Sequence, residues 1–99
     1  MDTISIRNIL DQQPNLPLAG SILFDKVKDA VSNGEKIGID MKDANAIPTL
    51  FLNTSFGRLI SLYGLEQTKH SFVFYNITRS QADRLRKYFS DFAAVAAAN

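Results

Sequence analysis

The sequence predicts a small α/β domain in which helices alternate with strands that run parallel. Three observations predict it. The chain has 99 residues, enough for one packed core and too few for two. Short apolar segments of strand character alternate along it with longer segments whose apolar residues recur at helical spacing. The connections between them are short, which favours right-handed crossovers between parallel neighbours. An apolar fraction of 45%, with seven Phe and three Tyr, suffices to hold such a layer together.

Taken in order, Thr3 to Ile6 alternate polar and apolar and read as a first strand. Residues 11–20, with two prolines and a glycine among polar residues, read as a loop. A first helix then starts at Ser21, a capping residue, and places Leu23, Val27, Ala30 and Val31 on one side. Asn33-Gly34 supplies the left-handed residue that ends it. Residues 36–41 form a compact strand with Ile37, Ile39 and Met41 on one face. After a turn, Pro48 suits the first turn of a second helix, whose stripe is Leu52, Phe56, Leu59, Ile60 and Tyr63 and whose end lies near Gly64. Residues 70–77 are apolar on both faces, as in a strand inside a sheet. Thr78 and Gln81 form a capping box ahead of a third helix with the stripe Ala82, Leu85, Phe89, Phe92, Ala93 and Ala96. Residues 93–99 read as its fraying end, and the whole chain as a single domain.

Eleven basic against ten acidic residues give a net charge of +1, so no long-range field draws in nucleic acid or an anionic membrane. The absence of cysteine removes disulfides, thiolate nucleophiles and thiolate metal sites. No stretch resembles a signal peptide or a membrane span, and a cytoplasmic protein is expected. The glycosylation sequons at Asn53 and Asn76 are then chance matches.

In parallel α/β sheets, ligands and partners meet the carboxyl ends of the strands. Here that edge holds residues 40–49 and 76–80. Asp40 and Asp43 are spaced to share a divalent cation or to make turn hydrogen bonds, and the turn is the favoured reading. His70 is the only histidine and reads as a solvated or capping imidazole. Neither a glycine-rich phosphate cradle nor a serine elbow is present, so an enzyme is disfavoured and no metal or cofactor is expected. Arg79, Arg84, Arg86 and Lys87, diluted by Asp83 and Asp91, read as a solvated helix face. Asn53, Thr54 and Ser55 cannot all face one way, because a helix turns about 100° per residue. Two readings of this cluster stand side by side. It is a solvated side with one hydroxyl bonded to the preceding turn, or a partner surface at the positive end of a helix.

The run Ile39-Asp40-Met41, Ile47, Phe51, Asn53, Phe56-Gly57, Leu59 and Tyr63-Gly64 resembles the STAS-like domain family, small bacterial domains related to anti-anti-sigma factors. Asn8 to Leu10, Gly20 and the FVFYN segment extend the match. The resemblance implies a sheet of about four strands, parallel or mixed, with three main helices, and a noncatalytic regulatory module that binds a protein partner. That partner is expected to be a histidine-kinase-like ATPase or another regulator. The alternative is a small-molecule or nucleotide sensor using the same helix start. The binding surface would comprise Asp40, Asp43, Pro48, Thr49, Asn53 and Ser55. Anti-anti-sigma relatives carry a phosphorylatable hydroxyl at the start of the second helix, and the matching position here is Leu50. No phosphorylation of that helix is therefore expected.

Overall fold

A computed structural model describes residues 2–44 and 46–98, without the side chains of residues 93 and 96–98. The elements are β1 (Thr3–Ser5), α1 (Ile6–Gln12), α2 (Leu16–Ser32), β2 (Ile37–Asp40), α3 (Thr49–Thr54), α4 (Phe56–Tyr63), α5 (Leu65–Ser71), β3 (Phe72–Tyr75) and α6 (Arg79–Ala98). The strands pair parallel in the order β1-β2-β3, as the alternation predicts. Among the described residues the sheet has three strands where the resemblance implies about four, and six helices stand where three main ones were expected.

With that strand order, two right-handed crossovers place their helices on the same face of the sheet. Burial agrees. Ile37, Ile39 and Phe72 are buried on the helix side, while Thr3, Ser5, Asp40, Val73 and Tyr75 alternate onto a half-buried or exposed face. On the inner side, Leu23, Val27 and Val31 of α2, Phe51 and Leu52 of α3, Phe56 and Leu59 of α4, and Leu85 and Phe89 of α6 close one core. Phe56 sits at its centre, edge-on to Phe72 at 4.9 Å and to Phe89 at 5.7 Å between ring centroids.

Several boundaries differ from the sequence reading, each for a local reason. Ile6 does not end β1 but opens α1, where the Ser5 hydroxyl caps the Asn8 N–H at 3.1 Å. α2 begins at Leu16 rather than Ser21. Its cap is Asn15, which accepts from the Leu18 N–H, and Pro17 sits in the first turn, where a missing N–H costs nothing. Ser21 instead donates to the Pro17 carbonyl. Gly20 lies inside α2 and lets it cross α3 closely: a Cβ there would fall 1.9 Å from Thr54 Oγ1 and 2.4 Å from the Phe51 carbonyl. The left-handed residue that follows α2 is Gly34, with φ 71°.

The second predicted helix is two helices. The ladder breaks at Ser55 (φ −112°, ψ −93°), whose buried hydroxyl donates to the Phe51 carbonyl at 2.8 Å. α4 ends at Gly64 (φ 87°), and α5 follows at once, taking His70 and Ser71 out of the expected strand. β3 is therefore shorter than predicted and lies at an edge of the sheet. The capping box of α6 is present: Thr78 N–H donates to Gln81 Oε1 at 2.8 Å and Gln81 N–H to Thr78 Oγ1 at 3.1 Å. Leu85 and Phe89 are buried and Phe92 half-buried, as the stripe predicts. The side chains of the stripe positions Ala93 and Ala96 fall outside the described ones, and of the stretch expected to fray, α6 includes residues 93–98 while Asn99 lies outside the described residues.

Candidate functional site

The carboxyl ends of β2 and β3 meet the starts of α3 and α6, and hydrogen bonds join all four. Asp40 ends β2, and its Oδ1 accepts from the Lys42 N–H at 2.9 Å and from Asn76 Nδ2 at 3.0 Å. Asn76 follows β3 in a left-handed conformation (φ 54°) that turns its amide back toward β2. The Asn76 bond, then the Lys42 N–H, hold the Asp40 carboxyl below its usual range. This is the turn role that the spacing favoured. Asp43 is also left-handed (φ 61°), and it is its carbonyl that is engaged, by Arg7 Nη1 at 3.2 Å. Among the described residues, no group of three or more His, Cys, Asp or Glu could hold a metal ion.

Pro48 precedes the first turn of α3 rather than lying in it. It is the cap residue, gives no side-chain cap, and accepts from the Leu52 N–H at 3.1 Å. The bracing comes from α6 instead. Arg84 Nη2 donates to Thr49 Oγ1 at 2.9 Å and to the Ile47 carbonyl at 3.1 Å. One turn earlier, Gln81 Nε2 donates to the carbonyls of Met41 and Ala44 at 3.0 and 2.7 Å. One turn later, the Tyr88 hydroxyl donates to Asn53 Oδ1 at 2.8 Å. Burial pushes the Tyr88 pKa up against the opposing charge of Arg84. Gln81, Arg84 and Tyr88 thus share one face of α6 and clamp the strand-end loop and α3. None of the three belonged to the site read from the sequence, although their helical spacing made a common face visible.

Of the expected binding residues, Thr49 and Asn53 are exposed and Pro48 is half-buried. Ser55 is wholly buried, so its hydroxyl is a structural bond within the core and not part of a surface. It is the inward member of the Asn53-Thr54-Ser55 cluster, bonded to the preceding turn. Sequence reading did not find Leu50 and Leu18 as a surface pair, exposed by 55% and 53%. The Thr54 hydroxyl ties their segments side by side, 2.8 Å from the Pro17 carbonyl and 3.4 Å from that of Leu50. A shallow depression of about 220 Å³ lies nearby, lined by Ala46, Ile47, Ser80, Gln81 and Arg84.

His70 is exposed, and its carbonyl accepts from Lys36 Nζ. Arg86 pairs with Asp83 and Lys87 with Asp91 along α6, the pattern of a solvated helix face.

A short parallel sheet with helices on one face, and a helix start braced at the end of its central strand, defines a small α/β domain. The family model of a STAS-like domain of unknown function matches residues 19–82, more than half of the chain, and the chain belongs to that family. The match runs from α2 through β3 to the capping box of α6. No curated protein and no solved structure matches the chain.

Proposed function

We propose that this domain is a noncatalytic regulatory module that docks a protein partner through the start of α3 and the adjoining start of α2. The exposure of Leu50 carries the reading. A leucine in the first turn of a short helix, more than half exposed on a segment that Thr54 ties to that of the similarly exposed Leu18, leaves apolar area open to a partner. The Thr49–Arg84 and Asn53–Tyr88 bonds hold that surface in shape, so little ordering is left to be done on association. By its family resemblance the partner is an ATPase-kinase or another regulator. No helix among the described residues is long and apolar enough to cross a membrane.

A photo-crosslinking residue at position 50, compared with one at the equally exposed Leu62 of α4, tests the surface. A defined adduct from position 50 only, with binding lost in Leu50→Glu at unchanged thermal midpoint, is the expected result. Equal adducts from both positions would dismiss the reading.

The depression beside Arg84 favours a second reading, a sensor of a small anionic ligand or nucleotide. Its volume lies below the usual range of roughly 300–1,000 Å³ for ligand pockets, which ranks this reading second. A thermal-shift screen of nucleotides tests it: ligand at about 100 times its Kd adds about 2.7 kcal/mol.

A further inference from the structure

The open edge of β3 has the features of a second binding surface, remote from the Leu50 surface in its chemistry. The Met41 N–H donates to the Tyr75 carbonyl at 2.9 Å. Backbone groups alternate sides along a strand, so those of Val73 and Tyr75 face β2, while the N–H and C=O of Phe74 point to the open edge. On the helix side of that edge lies a groove of about 340 Å³, floored by Phe72, Phe74, Leu85 and Phe89. It adjoins a second hollow of about 400 Å³ toward Leu65 and Ser90, which shares Lys69, Arg86 and Phe89 with it. Every charged residue lining either hollow is cationic, Lys69 and Arg86. Arg86 also meets Asp83 at 2.6 Å, an exposed contact that leaves it accessible.

We propose that this edge accepts a fourth strand from a partner protein, an extended segment that is net acidic and apolar at alternate positions. A strand hydrogen-bonded to Phe74 would direct every second side chain into the groove, where aromatic and aliphatic walls await it. The cations select the occupant. A second copy would bring to the edge a groove lined by the same cations, whereas an acidic segment meets them with opposite charge. A free amphiphile would fill the groove and leave the Phe74 backbone groups unmatched.

The test selects a random dodecapeptide phage library on the wild-type chain, counter-selected on Ala82→Glu, which places a carboxylate at the groove wall on a half-buried helical position. Enriched peptides are expected to be net acidic with alternating apolar residues. Synthesised, they should bind Ala82→Glu, and the exposed charge-reversal double variant Lys69→Glu with Arg86→Glu, about tenfold more weakly than wild type. They should also slow hydrogen exchange at the Phe74 amide. The double variant keeps the test decisive if Ala82→Glu fails to fold. Failure to enrich, basic or charge-neutral peptides, equal binding to the double variant, or an unprotected Phe74 amide would each overturn the proposal. So would a concentration-dependent dimer lost in the double variant, which would give the edge to a second copy.

Discussion

Arg84 and Thr49 are joined across the strand-end edge, the guanidinium donating to the threonine hydroxyl at 2.9 Å and to the neighbouring Ile47 carbonyl at 3.1 Å. α3 has no side-chain cap of its own, and this contact from a residue 35 positions later braces its first turn. Arg84→Ala is expected to lower stability in urea by about 1–2 kcal/mol, and Thr49→Ala by less, because it leaves the Ile47 bond in place. Thr49→Asp should be no less stable than wild type, since its carboxylate would lie at the start of α3 beside Arg84. A neutral Arg84→Ala would mean that the Tyr88–Asn53 bond and the buried Phe51 and Leu52 hold α3 in place without this contact.

Because Leu50 stands where the resemblance implies an acceptor hydroxyl, Thr49→Asp and Thr49→Ala are expected to bind the partner within a few-fold of each other. Stoichiometric phosphate on Thr49 by mass spectrometry, with affinity falling more than about tenfold in Thr49→Asp alone, would establish a phosphoswitch instead.

Gly20→Ala tests the crossing of α2 and α3. The new methyl would fall 2.4 Å from the Phe51 carbonyl, a backbone atom that cannot swing aside. A loss of about 3 kcal/mol in denaturant unfolding is expected, against the gain of about 1 kcal/mol that alanine brings to an unobstructed helix. A gain in stability would show the two helices to be further apart than described.

At Gly57 the obstruction is softer, and a double-mutant cycle reads it. A Cβ there would lie 2.5 Å from the Tyr88 hydroxyl and 3.0 Å from Phe92 Cε2. In wild type, Gly57→Ala forces Tyr88 away from Asn53 and should destabilise. Tyr88→Phe removes both the obstructing oxygen and its bond, at a cost of about 1 kcal/mol. The two changes together should cost less than their separate sum, and strict additivity would refute the contact.

The Asp40–Asn76 bond ties the ends of β2 and β3 and carries a pH signature. The folded-state pKa of Asp40 is depressed, so its contribution is present above the ordinary carboxylate range and is lost as pH falls through that range and below it. Acid unfolding followed by circular dichroism should therefore move to higher pH in Asn76→Gly, which removes the amide and keeps the left-handed turn. The shift should vanish in an Asp40→Asn background, and an unchanged acid midpoint in Asn76→Gly would remove the link.

What the sequence made legible was whatever is encoded within one or two turns. Thr78 and Gln81 are three residues apart, and their reciprocal bonds form as the pattern predicts. The second use of Gln81, its amide on the carbonyls of Met41 and Ala44, joins segments some forty residues apart and has no local signature. Pro14 and Pro17 were read as breakers, but Pro17 marks the first turn of α2, because proline permits a helix start as readily as it forbids an interior. α5 escaped because its buried residues are Thr68 and Ser71, so no apolar stripe marks its inner face. At the candidate site, Asp40 was legible as a turn residue, whereas Ser55 was not separable from its exposed neighbour Asn53 until the break between α3 and α4 fixed its direction.

The parallel sheet also governs how quickly the chain can reach this arrangement. Each pairing joins residues 35 positions apart, Thr3 with Gly38 and Ile37 with Phe72, and no hairpin among the described strands offers a local start. The entropy of closing each crossover must be met before the first ladder bond forms. Folding is therefore expected to begin in the helices, which need only neighbouring residues, with the strands zipping last, on a millisecond rather than a microsecond timescale.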